Sequence, residues 1–278
     1  MEQKDKDIFE QTTKFNTGIK LYMFQTGTIK TKIKFIKMNQ GEEPFEIPVP
    51  WFLIKHPKGD VIIDGGMPIE AAIDKHKHWG SVVEAYDPVM KKSEWCRDQI
   101  KTVNTNPEDI KYVIQTHLHL DHSGAIGHFP NATHITQRLE YDYAFNPDWF
   151  SQPAYIREDF DKPNIRWKFL QGRKTDFYDV HGDGVIKIIF TPGHTPGHQS
   201  VLVNLPKTGH MLFTGDACYT EDHWCDKCLP GLVASSSDAA ESVSKLRKIA
   251  KENDATVVWG HDPISWKNWK KAPMFYYD

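Results

Sequence analysis

The sequence predicts an α/β fold in a single domain. Strand-like and helix-like segments alternate over most of the 278 residues, and no internal repeat, low-complexity segment or clear linker divides the chain. Side chains of the metal-ligand type recur from the middle of the chain to its last strand. We therefore expect one domain over residues 1–278.

The first half of the chain begins with strands. The apolar runs "IKLYMFQTGTI" and "PWFLIKH" are followed by "DVIIDGG", which ends in a Gly-Gly turn. A helix is predicted for "DPVMKKSEWCRDQI", with Asp87 as N-cap and Pro88 at the first helical position. The segment "NPEDIKYVIQTH" predicts a helical turn and then a strand that leads into a cluster of histidines.

The second half alternates strands with one clear helix. "VIKIIFTPGHTPGHQSVLVNLP" predicts two strands around a turn rich in proline and glycine, and "GHMLFTGDACY" predicts another strand and a loop. "SDAAESVSKLRKIAKEN" is amphipathic, with Ala240, Val243, Leu246 and Ala250 at helical spacing. "ATVVWGHDP" predicts a last strand, which a histidine follows.

Composition limits the classes of partner. The formal net charge is −3, which gives no basic surface for nucleic acid or an anionic membrane. The N-terminus is charged and no apolar run is long enough to span a membrane, so neither a secretory signal nor a membrane segment is expected. The cysteines are too few for a disulfide framework, and we expect a reduced, cytoplasmic protein in which the Cys225/Cys228 pair stays unbonded.

One short segment concentrates ligand-type side chains. "THLHLDH" carries His117, His119, Asp121 and His122, and a turn near Leu120 would let this single loop contribute to two metal positions. A catalytic zinc ion takes about three protein ligands and keeps an open position, so further ligands are needed. Candidates that follow an apolar strand at a glycine-bearing turn are His194, Asp216 and His261.

These motifs together resemble the metallo-β-lactamase superfamily, over about Val61 to His261. The resemblance implies an αββα sandwich, in which two mixed β-sheets lie between layers of helices. It also implies two divalent metal ions, expected to be Zn²⁺. The implied ligands are His117, His119 and His194 for one metal, Asp121, His122 and His261 for the second, and Asp216 as the bridge.

Two further polar residues are expected to support the ligands. The resemblance makes His198 a structural residue, and Asp64 in "VIIDGG" is expected to orient a ligand histidine, to cap a turn, or to do both. The remaining histidines lack a matching context and are interpreted as surface or hydrogen-bonded residues.

Within the superfamily, "HLHLDHSGAIGHFPNA" and "TGDACY" are similar to the N-acyl-homoserine lactone lactonases. This similarity implies hydroxide attack on an acylated lactone, a small-molecule partner. Tyr219 would hydrogen-bond the substrate carbonyl, and Asp121 would carry a proton to the leaving alkoxide. It also suggests a homodimer. Aromatic side chains that could line an acyl groove, none of them assigned as a site residue, are Phe45, Trp51, Phe52, Tyr141, Tyr143, Phe145, Trp149 and Phe150.

Three alternatives stay open from the sequence. The first is another hydrolase of the same fold, such as a thioesterase, a type II glyoxalase-like enzyme or a general lactonase. The second is an iron-dependent oxygenase or oxidase, because the same ligands hold iron. The third is an inactive scaffold, against which the complete set of ligands argues.

Overall fold

The computed structural model describes residues 18–278, so the part of the single-domain prediction that concerns residues 1–17 lies outside the described residues. The strands in this range are β1 (Lys20–Lys32), β2 (Pro44–Lys55), β3 (Asp60–Ile63), β4 (Asp87–Val89), β5 (Ile110–Ile114), β6 (Thr133–Gln137), β7 (Arg166–Leu170), β8 (Phe177–Asp179), β9 (Ile186–Phe190), β10 (Gln199–Leu205), β11 (Gly209–Phe213) and β12 (Thr256–Val258).

Most of the helices are short. The α-helices are α1 (Ile33–Ile36), α2 (Ile69–Trp79), α3 (Cys96–Gln99), α4 (Arg138–Phe145), α5 (Arg157–Phe160), α6 (Glu221–Trp224), α7 (Ser236–Glu252) and α8 (Pro263–Trp266). The 3₁₀ turns are Gly80–Glu84, Lys92–Glu94, Ile100–Val103, Pro107–Asp109, Ser123–Ala125, Gln152–Ala154, Gly172–Thr175 and Gly215–Ala217.

The strands form two mixed sheets. Among the described residues, the larger sheet has the order β4-β1-β2-β3-β5-β6-β7, and its second half is parallel from β3 to β7. The smaller sheet has the order β12-β11-β10-β9-β8 and is antiparallel except for the parallel pair of β11 and β12.

The two sheets face each other across a shared apolar core, as the αββα prediction requires. Phe52 of the larger sheet contacts Phe213 of the smaller one, with ring centroids 4.4 Å apart. Neighbouring residues along the strands face the outer layers, because successive side chains point to opposite faces. Leu53 packs with Cys96 and Ile100 of the outer helical segment on one side.

The long helix α7 covers the outer face of the smaller sheet. It begins at Ser235, whose hydroxyl accepts a hydrogen bond from the backbone N–H of Asp238. Leu246 and Ile249 pack against the sheet residues Leu202 and Leu212. The amphipathic pattern therefore predicted this helix correctly, although near its start Ala239 is buried and Ala240 is exposed.

The prediction of a helix starting at Asp87 was wrong. Residues Asp87–Val89 pair with β1 and form the edge of the larger sheet, a 3₁₀ turn follows at Lys92–Glu94, and the α-helix begins only at Cys96. A proline is tolerated here because an edge strand has one side that forms no hydrogen bonds with a neighbouring strand. Asp87–Val89 form a strand because their backbone pairs with β1, and local sequence signals do not reveal such a long-range pairing.

Two further observations bear on the sequence predictions. Within residues 18–278, no helix combines the length and apolar character needed to cross a bilayer. The four cysteines are all free, with Cys225 exposed and Cys228 partly exposed, as expected for unbonded thiols.

Replacing Phe52 by alanine should lower the free energy of unfolding by about 3–5 kcal/mol, because the cavity left between the sheets cannot fully collapse. Chemical denaturation would measure this change. Met274→Ala is the control, since Met274 is 90% exposed and should change stability by less than about 0.5 kcal/mol. Equal midpoints for the two variants would contradict a core shared by both sheets.

Candidate metal centre

The seven candidate ligands lie at the carboxyl ends of four strands from both sheets. The loop after β5 carries His117, His119, Asp121 and His122. The loop after β9 carries His194, the turn after β11 carries Asp216, and His261 follows β12. These strand ends meet at one edge of the sandwich, so residues far apart in the sequence become neighbours.

Three histidines form the first group. The Nε2 atom of His194 lies 3.2 Å from Nε2 of His117 and 3.0 Å from Nδ1 of His119. All three side chains are buried. Their ligand atoms lie within 4.8 Å of one another, close enough for a single ion to contact all three.

The second group combines a carboxylate with two histidines. Nε2 of His261 lies 3.3 Å from Nε2 of His122. The carboxylate oxygens of Asp121 lie 3.6 Å from His122 Nε2 and 3.5 Å from His261 Nε2. This group also fits within 4.8 Å.

Asp216 lies between the two groups. Its Oδ2 atom is 3.3 Å from Nε2 of His194 and 3.6 Å from Nε2 of His117. Its Oδ1 atom is 3.1 Å from Nε2 of His261 and 3.4 Å from Nε2 of His122. One carboxylate oxygen thus faces each group, which is the arrangement of a bridging ligand.

Hydrogen bonds on the opposite ring nitrogens fix the orientation of several ligands. The Nδ1 atoms of His122, His194 and His261 lie within 3.0 Å of Asp64 Oδ2, Leu232 O and Pro48 O, respectively. Because a carbonyl or carboxylate oxygen only accepts, each Nδ1 carries a proton, and each ring in its neutral form presents its lone pair at Nε2.

The donor set fits a divalent cation. Ring nitrogens face one another and two carboxylates at close range, and Oδ1 of Asp216 is buried with no hydrogen-bond partner among residues 18–278. Such a collection of acceptors is unfavourable in a buried site unless positive charge lies among them. Imidazole nitrogen and carboxylate oxygen are the ligands typical of zinc and related metals.

The pKa values of the histidines differ between the two groups. Burial and the neighbouring histidines lower the pKa of His117 and His119 well below the ordinary value, so both rings are neutral. Burial also opposes charge on His122, but the carboxylates of Asp216, Asp121 and Asp64 outweigh it and raise its pKa. The carboxylate side of the centre therefore attracts positive charge.

Asp64 supports the second group, as the sequence suggested. It follows β3 with a φ of +63°, a left-handed conformation that is uncommon outside glycine. Its carboxylate accepts hydrogen bonds from the backbone N–H and hydroxyl of Thr116, at 2.7 and 2.9 Å, as well as from His122. The next residue must be small, because a Cβ on Gly65 would lie 2.5 Å from the Cβ of Ala125.

His198 is not among the ligand groups. Its Nδ1 atom lies 3.0 Å from the carbonyl oxygen of Thr191, and its Nε2 accepts a 3.0 Å hydrogen bond from the backbone N–H of Asp216. It thus holds the turn that carries Asp216, in agreement with a structural role. Outside the centre, Nε2 of His78 lies 2.8 Å from Oδ1 of Asp159.

Tyr219 lies beside the first group. Its hydroxyl oxygen is 3.2 Å from Nδ1 of His194, and its ring lies near that of His261. Burial raises the pKa of Tyr219 well above its ordinary value, and the charges of Asp216 and Asp121 act in the same direction. The side chain therefore carries its proton and can donate a hydrogen bond.

A cavity of about 470 Å³ opens onto the centre. Its polar end includes His119, Asp121, Asp216, Tyr219 and His261. Its walls are mainly apolar and include Ile29, Phe35, Ile36, Ile47, Val82, Leu120, Phe150 and Leu232.

Of the aromatic side chains considered from the sequence, Phe150 lines this cavity, whereas Trp51 and Phe52 are buried in the core. The aliphatic wall was missed, because its residues carry no signal that separates them from core residues.

The chain was compared with known proteins. The family model of the metallo-beta-lactamase superfamily matches residues 45–261. N-acyl homoserine lactonase AttM of Rhizobium radiobacter is 59% identical over 261 residues, which covers 94% of this chain and 99% of the relative. An N-acyl homoserine lactonase of a Bacillus species is 33% identical, covering 84% of this chain and 88% of the relative.

A solved N-acyl homoserine lactone hydrolase has N-hexanoyl-L-homoserine, its product, bound at the catalytic metal centre. It is 28% identical, covers 94% of this chain and 100% of its own, and superposes with a TM-score of 0.83. The fold, the grouped ligands and the matched family model agree, and the chain belongs to the metallo-beta-lactamase superfamily.

Proposed function

We propose that this protein opens the lactone ring of N-acyl-L-homoserine lactones by hydrolysis, with two Zn²⁺ ions as cofactors. The observation that carries the proposal is the convergence of His and Asp side chains at one end of an apolar cavity. The relatives support the substrate class, since N-acyl homoserine lactonase AttM is 59% identical to this chain.

We assign each ligand by the group in which it lies. The first ion would be held by His117, His119 and His194, the second by Asp121, His122 and His261, and Asp216 would bridge them. When bound, such ions lower the pKa of a water molecule to about 7 and polarise a carbonyl group.

Asp121 is the carboxylate best located to move a proton. Its side chain is 13% exposed, against 4% for Asp216, and it lines the cavity. Asp121 would accept the proton of the attacking hydroxide and deliver it to the ring oxygen as the C–O bond breaks. A positioned carboxylate of this kind acts as a general acid and base, and no covalent intermediate with the protein is needed.

Tyr219 would stabilise the negative charge that develops on the carbonyl oxygen. Because the Nδ1–H of His194 points to the carbonyl of Leu232, the hydroxyl proton of Tyr219 is free to point into the cavity. A neutral donor aimed at a developing oxyanion lowers the barrier, since its hydrogen bond strengthens as charge accumulates.

The apolar walls would hold the acyl chain. A volume of about 470 Å³ lies within the range of small-molecule pockets, about 300–1,000 Å³. Ile36, Ile47 and Val82 offer aliphatic surface and Phe150 adds an aromatic ring near the opening. Burying the chain there favours acylated lactones through the hydrophobic effect.

The remaining expectations concern the setting of the enzyme. We propose a cytoplasmic location, which the four free cysteines favour because thiols stay reduced there. Homodimer formation stays a prediction from the resemblance.

Metal removal should abolish the reaction. We expect about two divalent ions per chain by elemental analysis of the preparation that is assayed for lactone opening. A thioester and a cephalosporin tested in parallel should react poorly. Chelation should remove activity and added Zn²⁺ should restore it. Protein without stoichiometric metal, or turnover that chelation leaves intact, would refute the proposal.

Asp121→Asn should lower kcat by at least about 10²-fold, because the amide cannot accept the proton and is a weaker ligand. Steady-state kinetics would measure the effect. Asp142→Asn is the matched control, because Asp142 is 60% exposed on α4 and lies outside the centre. A kcat at the level of this control would contradict both roles of Asp121.

Tyr219→Phe should lower kcat about tenfold, which is less than the loss usual where hydrogen bonds alone hold the oxyanion. The cation would still polarise the carbonyl in this variant. Metal content should stay constant, and Tyr276→Phe on the surface serves as the control. Equal rates in the two variants would remove the role given to Tyr219.

A further inference from the structure

Glu140 is a fully buried carboxylate behind the ligand loops. It lies on α4 with 0% exposure. Its Oε1 atom accepts hydrogen bonds from the backbone N–H of Leu118 at 3.0 Å and the hydroxyl of Tyr155 at 3.1 Å. Its Oε2 atom accepts one from the hydroxyl of Thr195 at 2.5 Å, and the backbone N–H of Gly197 also donates to the carboxylate. Four donors match the capacity of an ionised carboxylate.

The donors lie next to the three histidines of the first group. Leu118 separates His117 from His119, and Thr195 directly follows His194. These loops come from β5 of the larger sheet and β9 of the smaller sheet. One side chain thus links two loops that no strand pairing connects among the described residues, in addition to the hydrogen bond from the backbone N–H of Gln199 to the carbonyl of Thr116.

Tyr155 extends this support to His119. Its ring contacts the His119 ring edge to face, with centroids 4.6 Å apart. Nε2 of His119 is buried and has no hydrogen-bond partner in the described part of the chain. His119 is therefore oriented by packing against a tyrosine that Glu140 holds, instead of by a hydrogen bond of its own.

The loop and the helix are also in direct contact. A Cβ added at Gly197 would lie 2.2 Å from the backbone nitrogen of Glu140. The loop that carries His194 therefore packs tightly against the start of α4, and this contact restricts movement of both the loop and the helix. The second group has a carboxylate of its own, since Asp64 binds Thr116 and His122.

We propose that Glu140 is a positioning residue for the metal at His117, His119 and His194, as Asp64 is for the other metal. This inference rests on the two-metal centre proposed above. Loss of the Glu140 carboxylate weakens metal binding at the three-histidine position, while the position formed by Asp121, His122 and His261 keeps its ion.

The test uses Glu140→Gln in the full-length protein, which keeps the size of the side chain and replaces one acceptor oxygen by an amide donor. Glu241→Gln, on the exposed face of α7, is the matched control. Each protein is loaded with Co²⁺ and titrated with a chelator while metal content and the visible spectrum are followed.

We expect Glu140→Gln to release its first ion at an about tenfold lower free chelator concentration than the control does. Loss of a residue that supports a metal ligand usually lowers metal affinity by at least this factor. Two reference variants identify that ion. The spectrum that remains should match His194→Ala, which lacks the three-histidine position, and not His261→Ala. Asp64→Asn should give the opposite pattern.

Two results would overturn the inference. One is a titration curve for Glu140→Gln that superposes on Glu241→Gln, and the other is simultaneous loss of both ions from a protein that far-UV circular dichroism shows to be folded. If Glu140→Gln does not fold, Thr195→Val replaces it. That variant removes one donor and should shift the same ion, whereas Thr195→Ser should rescue it; no shift in Thr195→Val overturns the inference equally.

This readout contains no lactone, so the two proposals can fail separately. If Glu140→Gln loses the three-histidine ion and the unmodified protein opens no lactone, only the proposed function is refuted. Normal lactone opening by the unmodified protein, with unchanged metal binding in Glu140→Gln, would refute only the role of Glu140.

Discussion

The structure depends on one electrostatic constraint, the close approach of buried acceptor atoms that only positive charge can hold together. Imidazole nitrogens face each other at 3.0–3.3 Å, and the oxygens of Asp216 point into both groups. In a buried environment such acceptors repel one another and have lost their water. Metal binding and the final folding of this edge of the sandwich are therefore coupled.

The fold meets this constraint with short connections from rigid strands. Each ligand follows a strand closely, so its backbone has little freedom. A surrounding shell of acceptors then fixes the side chains, with carbonyl oxygens at Pro48 and Leu232 and carboxylates at Asp64 and Glu140. Pro48, Leu232 and Asp64 select the ring tautomers of their histidines, and Glu140 holds the backbone of the loops, which together preorganise the centre for its cations.

Substrate choice is separated from this machinery in space. The ligand set sits at one end of the cavity, whereas the apolar walls come from β1, β2, α1 and the segments around residues 82 and 150. In the proposed function, hydrolysis of a carbonyl compound follows from the centre, and preference for an acylated lactone follows from the walls. The same fold can thus serve different substrates when the wall segments change.

The sequence by itself determined the two-sheet fold and helix α7, because a half-buried helix demands an apolar period. It also indicated the residues that we propose as ligands, because metal chemistry demands particular side chains and these stand at glycine-bearing turns. Tertiary structure decided the rest. Residues Asp87–Val89 became a strand because β1 had a free edge. Ile36 and Val82 line a cavity, but an apolar side chain looks the same whether it faces protein or substrate. The sequence around Glu140 is typical of an exposed helix position. Glu140 is a buried acceptor only because two loops that are distant in the sequence pack over it.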